Sequence, residues 1–424
     1  MEKILRNVKK IIPLKIYSYL QPTYHYSLSL LGALFFRFPS RQIKVIGVTG
    51  TKGKSTTVEI INALLEEAGY VTAVSNTIRQ KIADRSADNM FKMSLPGRFF
   101  VQGFLRKAVR AGCDYVVLEI TSQAVLQYRH KFIDLDALVF TNLSPEHIES
   151  HGSYEKYRDA KLQIARGMEH SKKRPRTIVA NADDVESGKF LACIAEKKIT
   201  YSAKDAQPFK LDPSGIDFSL GGTSVHSPLS GMFNLYNLLG SIACVQSFGV
   251  SQEIIIRAVE KFSGVKGRVE RINEGQDFTV IVDYAHTPDS LEKLYQVFEG
   301  SKNICVLGGT GGGRDSWKRK EMGRIADAYC DDIILTNEDP YDEDPEAIVK
   351  DVAEGIAPSN YTIIMDRRAA IREALSKAQT GDTVLITGKG TDPYIMGANG
   401  SKIPWNDAEV TREELVGLRR VSGI

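Results

Sequence analysis

Two series of short, β-branched apolar runs, separated by helical stretches, set the strongest limit on how this chain folds. The first takes in Ile43–Val48, Tyr115–Ile120 and Ala137–Phe140, with helices expected over Thr57–Ala68 and Phe99–Ala111. The second starts near Phe278 and runs through FTVIVDY, NICVLGG, DDIILTN, YTIIMD and DTVLITG, with helices over Leu291–Phe298 and Ala369–Ala378. Runs this short and apolar are strands buried on both faces, and the helices between them cover a mostly parallel sheet. The expected fold is α/β: a central domain with a mostly parallel sheet, then a C-terminal Rossmann-like α/β domain. Glycines in SGVKGR, near Phe262–Arg268, mark the boundary, giving domains 43–265 and 266–424. Residues 205–230 alternate polar strands with Gly and Pro turns, as in an antiparallel extension. The chain has no internal repeat and no low-complexity tract.

Residues 1–42 form a short N-terminal segment, expected to be helical. It opens on Lys3, Arg6, Lys9 and Lys10 and turns apolar, with no formal charge over the 14 residues from Thr23 to Phe36. A spanning helix needs roughly 20 apolar residues, and no small-residue cleavage site follows, which argues against a signal peptide. The apolar side is expected to dock on the next domain, and residues 16–38 are a candidate peripheral membrane contact. A net charge of +3 is too small for a nucleic-acid binder with its concentrated basic face. Five cysteines lie far apart with no CxxC pair, so neither a disulfide framework nor a thiolate zinc site is expected. The cytoplasm is the expected setting.

The first motif with chemistry is GVTGTKGKST, Gly47 to Thr56, which follows the strand IKVIGV and opens a helix. Backbone N–H groups at such a turn, and the helix N-terminus behind it, attract phosphate. Lys54 then reaches the β- and γ-phosphates of a nucleotide, and the Ser55 hydroxyl holds Mg²⁺. The glycine spacing departs from the usual loop at Val48, with Gly47 one place early.

Further segments follow in a fixed order: LEITSQAV, TNLSPEHIESHGSYEKYRDAK, FNLYN, GRVE, DYAHTPDSL, GGTGGGRDSWKRK and GKGTD. With these, residues 45 to 424 resemble the Mur ligases of cell-wall peptide synthesis, most of all the ligase that adds the third residue of the stem peptide. The resemblance implies ATP held by Gly50, Thr51, Lys52, Gly53, Lys54, Ser55 and Thr56, with Lys52 in place of the usual asparagine. Asn234 and Asn237, three apart on one helix face, are implied on the nucleotide side. Arg268, Asp283 and His286, with Tyr284 beside them, are implied to meet the nucleotide as well. Glu119, His147 and Lys161 are implied as catalytic residues with Lys54, and Ser55, Glu119, His147 and Lys161 as the surroundings of two Mg²⁺ ions. Lys161 is implied to carry a carbamate, which turns a cation into an oxygen-donor anion. A carboxylate such as Glu119 at a strand's C-terminal end suits a hard cation.

The implied reaction activates an acceptor carboxylate as an acyl phosphate, which the incoming amine attacks. Ser94, Ser122 and Arg129 are implied on the acceptor side, and Arg314 on the α-carboxylate of the amino acid. Glu338, Asp339, Tyr341, Gly388 and Asp392 line the implied side-chain pocket. Tyr341 stands where family members that add diaminopimelate carry an arginine, and Asp392 stands where the family has glutamate. The pocket has lost a cation and gained acidity, which favours a side chain ending in an amine, such as lysine or ornithine. Lys318, Arg319 or Lys320 are the cations at hand to offset it. Two departures concern the acceptor: only a short segment precedes the loop where relatives carry a uridine-binding domain, and MSLPGR at Met93 to Arg98 replaces the family's dipeptide-contacting segment. Gln123 stands at a family histidine. The expected substrates are a UDP-linked muramoyl peptide and an amino acid, with no nucleic acid, on a monomer. A ligase of another acceptor (a folylpolyglutamate or pseudomurein-type peptide) and a non-catalytic nucleotide-binding partner are the alternatives.

Overall fold

In the computed structural model, residues 14–91, 93–146, 151–313 and 316–422 are described. They form two compact units: the described residues up to 207 with 236–259, and residues 208–235 with the described residues from 260 onward.

The first unit is built on an eight-stranded sheet. Its strands are β1 (Lys44–Thr49), β2 (Thr72–Ser75), β3 (Arg79–Ile82), β4 (Arg85–Asp88), β5 (Tyr115–Glu119), β6 (Ala137–Phe140), β7 (Thr177–Asn181) and β8 (Lys197–Tyr201). Their order is β4-β3-β2-β5-β1-β6-β7-β8, parallel from β2 to β8 and antiparallel only across the β2-β3-β4 edge. The five residues of β5 and the four of β6 are all buried, as both-face packing requires. From β1 the chain passes to β2 on one side, while β6 pairs on the other, so β1 lies at a switch point. Ligands in open α/β sheets bind beyond the strand ends at such a point.

The helices here start and stop within a turn of the sequence expectation: Lys54–Glu67 and Arg98–Arg110. An N-terminal helix, Leu14–Phe35, lies on the Arg98–Arg110 helix. Ser29 Oγ donates to the Tyr128 carbonyl at 2.8 Å, and Arg106 Nε donates to the Phe36 carbonyl at 3.0 Å. No described helix is long and apolar enough to cross a membrane.

The second unit contains a three-stranded antiparallel sheet, β9 (Phe209–Asp212), β10 (Gly215–Leu220) and β11 (Thr223–Ser227). Its main sheet has β12 (Glu270–Ile272), β13 (Thr279–Asp283), β14 (Asn303–Leu307), β15 (Asp332–Leu335), β16 (Tyr361–Ile363) and β17 (Thr383–Thr387), in the order β12-β13-β17-β14-β15-β16. Only β12 runs antiparallel. Ile281, Cys305, Ile333 and Leu385 face one helix layer, and Val282, Val306, Ile334 and Ile386 the other. Successive residues alternate between faces, so each apolar run feeds two cores. A hairpin of β18 (Tyr394–Met396) and β19 (Lys402–Pro404) follows.

Cys305 and Cys330 form a disulfide, where the sequence suggested no disulfide framework. β14 and the end of the Trp317–Tyr329 helix bring their Cα atoms to 6.1 Å across 25 residues of chain. That approach is made by the parallel sheet, and no local spacing in the sequence announces it.

Candidate functional site

The phosphate loop joins β1 to the Lys54–Glu67 helix at the sheet's switch point. Gly50 has φ 149° and Gly53 has φ 79°. A Cβ on Gly50 would collide with Thr141 Oγ1, and one on Gly53 with the Asn237 side-chain oxygen. Both positions therefore demand glycine twice over, for backbone angle and for space.

Lys54 starts the helix, and its Nζ donates to the Thr51 carbonyl at 2.7 Å. Ser55 Oγ donates to Glu119 Oε2 at 2.8 Å and lies 3.0 Å from Thr77 Oγ1. Glu119, 2 % exposed, ends β5, as the sequence placed it. Thr56 is buried in the first turn, and Thr51 Oγ1 meets Tyr157 Oη at 3.1 Å. Lys52 departs from the family pattern, and its Nζ pairs with Glu146 at 2.8 Å. Asn237 accepts from Thr57 Oγ1 at 3.3 Å and closes against Gly53.

Lys161, on the helix Tyr154–Gly167, is 2 % exposed and donates to the Gly50 carbonyl at 2.5 Å. Burial first, and Lys54 next, hold its amine well below the ordinary lysine pKa, with Glu146 and Glu119 opposing. The charged form of the amine is thus disfavoured in the fold. Sequence reasoning placed Lys161 in the site by resemblance alone; here it sits against the loop with Glu119 and Lys54.

His147 lies outside the described residues. His151, which the sequence reading passed over, is buried; its Nε2 lies 3.1 Å from Ser122 Oγ and its ring packs on Tyr157. The second histidine of HIESHG is the signal that pointed to it. Arg129 is 9 % exposed, donates to the Leu95 carbonyl at 2.7 Å, and is pushed down to about 10 by burial and then by Arg98. Ser94, the residue before Leu95, is buried, and its Oγ has no hydrogen-bond partner among the described residues.

The second unit's candidate residues gather at the C-terminal ends of β13, β14, β15 and β17. The Asp283 carboxylate accepts from the Val269 and Ala285 N–H groups at 2.7 and 2.6 Å. The Arg268 guanidinium lies over the Tyr284 ring at 4.3 Å, and His286 packs edge-on against the same ring. Asn234 is buried and donates to the Ser230 carbonyl at 2.9 Å. Arg314 lies outside the described residues. Tyr341 takes φ 52° and donates its N–H to the Met396 carbonyl.

Charge balance at the side-chain pocket differs from the sequence expectation. Lys389, 1 % exposed, pairs with Asp339 at 2.8 Å and with Asp392 at 2.9 Å. Burial works against its charge, but Asp392 and Asp339 more than offset that and raise its pKa. Two of the three acids thus share one cation from within the GKGTD segment itself, which offsets one of their two charges. Arg319 is engaged with Glu343 and Asp351 at 2.7 and 2.9 Å.

Glu338 is left as the poorly compensated acid. Thr310 Oγ1 donates to its Oε1 at 2.9 Å, while Oε2 has no hydrogen-bond partner among the described residues. Burial pushes its carboxyl up, with Arg367 and Lys389 opposing. A carboxyl raised on folding gives stability that is complete below about pH 4 and is lost as pH rises through its folded value. Glu338→Gln, which cannot ionise, is expected to unfold later than the native chain at pH 8, by about 1 kcal/mol, and alike at pH 4. Chemical denaturation at the two pH values measures this; an equal change at both would remove Glu338 as the cause.

A Mur ligase middle domain matches residues 48–245, and a Mur ligase glutamate ligase domain matches residues 267–390. A UDP-N-acetylmuramoyl-L-alanyl-D-glutamate–2,6-diaminopimelate ligase of Geobacillus thermodenitrificans is 37% identical, over 87% of this chain and 78% of that one. A UDP-N-acetylmuramyl-tripeptide synthetase of Roseiflexus is 35% identical, over 94% and 83%. Among solved structures, a UDP-N-acetylmuramoyl-L-alanyl-D-glutamate–2,6-diaminopimelate ligase superposes with a TM-score of 0.61 at 29% identity, covering 89% of this chain and 79% of that one. The folylpolyglutamate synthase of Mycobacterium tuberculosis shares the fold, with a TM-score of 0.68 at 17% identity, over 86% and 92%. The matched stretches hold the phosphate loop, Glu119, Lys161, Glu338, Asp339 and Lys389, and on these matches the chain belongs to the Mur ligase family.

Proposed function

We propose that this chain uses ATP to join an incoming diamino acid to the carboxylate of a UDP-N-acetylmuramoyl dipeptide, in the making of peptidoglycan precursors. Mur ligases work with ATP and Mg²⁺. The observation that supports the reading most is that Lys54, Ser55, Glu119 and a buried Lys161 gather around one phosphate loop, joined with relatives named for this reaction.

The donor chemistry fits Mg²⁺. Ser55 Oγ and the Glu119 carboxylate are hard oxygen donors within 2.8 Å of each other. The Lys161 amine is suited to a carbamate: its nitrogen lone pair attacks the carbon of CO₂, the N–C bond forms, and nitrogen gives up a proton. We propose two Mg²⁺ ions held by Ser55, Glu119, His147 and carbamylated Lys161. When bound, Mg²⁺ supplies positive charge to the β- and γ-phosphate oxygens.

The loop residues Gly50 to Thr56 orient ATP, and Lys54 leaves the Thr51 carbonyl to meet the terminal phosphates. A carboxylate oxygen of the acceptor attacks the γ-phosphorus and ADP departs, leaving an acyl phosphate. The amine nitrogen attacks that carbonyl, inorganic phosphate leaves, and nitrogen loses a proton. Ser94, Ser122 and Arg129 are proposed to hold the acceptor. Arg314, Glu338, Asp339, Tyr341, Gly388 and Asp392 are proposed to hold the amino acid. The proposed enzyme acts as a cytoplasmic monomer, and residues 16–38 are proposed to meet a membrane.

Phosphate release with ATP, Mg²⁺ and UDP-N-acetylmuramoyl-Ala-Glu, across lysine, ornithine and diaminopimelate, tests this. Release with diaminopimelate places the chain with its named relatives and makes the Lys389 pairing decisive for the pocket. Release with lysine or ornithine alone makes Glu338 and Tyr341 the selectors. Release with none of them overturns the proposed acceptor.

A further inference from the structure

On its outward side the N-terminal helix Leu14–Phe35 is apolar where a water-facing helix carries charge. Leu20, Tyr24, Leu31, Leu34 and Phe35 share one face, interrupted by the exposed Ser27 between Tyr24 and Leu31. Leu31 and Leu34 are about half exposed and Phe35 is 73% exposed. Phe99, on the neighbouring helix, extends the patch, with its ring 6.4 Å from Phe35 and from Phe36. The inward side is already used: Ala33 is fully buried, and His25 and Ser29 are held by Arg98 and Tyr128. An exposed apolar surface of this kind, densest at Leu31, Leu34, Phe35 and Phe99, marks an interaction site.

The two segments that carry the patch hold formal charge of one sign. Arg37 is exposed two residues past Phe35, Lys107 and Arg110 are exposed in the last turn of the helix that carries Phe99, and Arg106 lies against the Phe36 carbonyl at 2.6 Å. No Asp or Glu occurs from residue 14 through 58, or from 98 through 113. Pairing this surface with a second copy across a two-fold axis would set cations against the same cations. Lipid tails with anionic headgroups satisfy both halves of the surface at once.

We propose that the outward face of helix Leu14–Phe35, with Phe99 and its basic rim, docks in the interface of an anionic lipid bilayer. The helix lies in the headgroup region without crossing it. The contact gives the residue 16–38 proposal its side chains and its lipid class, and it does not depend on the ligase chemistry.

The test is flotation of the full chain with vesicles of phosphatidylcholine containing about 30% phosphatidylglycerol, and with phosphatidylcholine alone. The native chain is expected to float with the anionic vesicles and less with the neutral ones. Leu31→Asp with Phe35→Asp, both exposed, is expected to lower bound protein about tenfold, and Phe35→Trp to keep it. ATP-dependent phosphate release is expected to be the same for all three proteins without vesicles, which separates this proposal from the ligase assignment. A native chain that stays unbound, or a double-Asp variant that floats like the native, overturns it. So does a native dimer that the double-Asp variant splits without any flotation, which assigns the face to a second copy.

Discussion

Replacing Lys161 with methionine is expected to lower ATP-dependent phosphate release about 10³-fold, a loss of about 4 kcal/mol of transition-state stabilisation, and to leave the fold intact. The reason lies in where the amine is kept. Its Nζ is closed off from solvent against the Gly50 carbonyl, with Lys54 close enough to disfavour a second positive charge. A lysine whose pKa falls on folding weakens the folded state at every pH below the unfolded value of about 10.5. Its cost disappears as pH rises to that value. Methionine has much the same length and no charge, so the variant is expected to melt within a few degrees of the native chain at pH 7. Loss of turnover with the melting point kept therefore reports chemistry and not collapse. The same pair of proteins tests the carbamate: ¹³C-bicarbonate is expected to give a carbamate carbon signal in the native enzyme that the Lys161→Met variant lacks. A variant that keeps turnover within tenfold of native would end the case for Lys161.

Much of this site was legible because its chemistry lies in local order. GKST after a buried strand predicts a phosphate loop, and Glu119 at the end of its strand predicts an acid at the sheet's rim; both stand there. What was not legible depends on partners that the fold brings from afar. Glu338, Asp339 and Asp392 read as an acidic pocket, since nothing in the sequence says that Lys389 turns inward to two of them. Lys389 was given no role, although it stands three residues before Asp392 in the same motif. The Cys305–Cys330 pair was missed for the same reason, because the sheet and a helix end make the approach. The N-terminal helix shows the converse: its lack of charge was plain, but only the packing tells which of its two apolar sides is already covered.

Arg367→Met is expected to destabilise the second unit by about 3–5 kcal/mol, the usual result of removing one partner of a buried ion pair. Arg367 opens the helix Arg367–Lys377, Asp407 opens the helix Asp407–Ser422, and neither side chain is more than 1% exposed. Nε and Nη2 meet the two carboxylate oxygens at 2.8 and 2.7 Å, and Nη2 also donates to the Thr387 carbonyl at the end of β17. Trp405 Nε1 adds a third donor to Asp407 at 2.7 Å. Methionine leaves a buried carboxylate with one neutral donor and a carbonyl with none, and the carboxylate accounts for most of the loss. At about 2–4 °C per kcal/mol for a domain of this size, the melting point is expected to fall by about 10 °C. Arg367→Met combined with Asp407→Leu is expected to recover a good part of that fall, because no charge is then stranded. Equal melting points for the single and double variants would place the cost on the lost Thr387 contact and on packing instead. The comparison thereby separates the value of the pair from the penalty of breaking it, which a single substitution confounds.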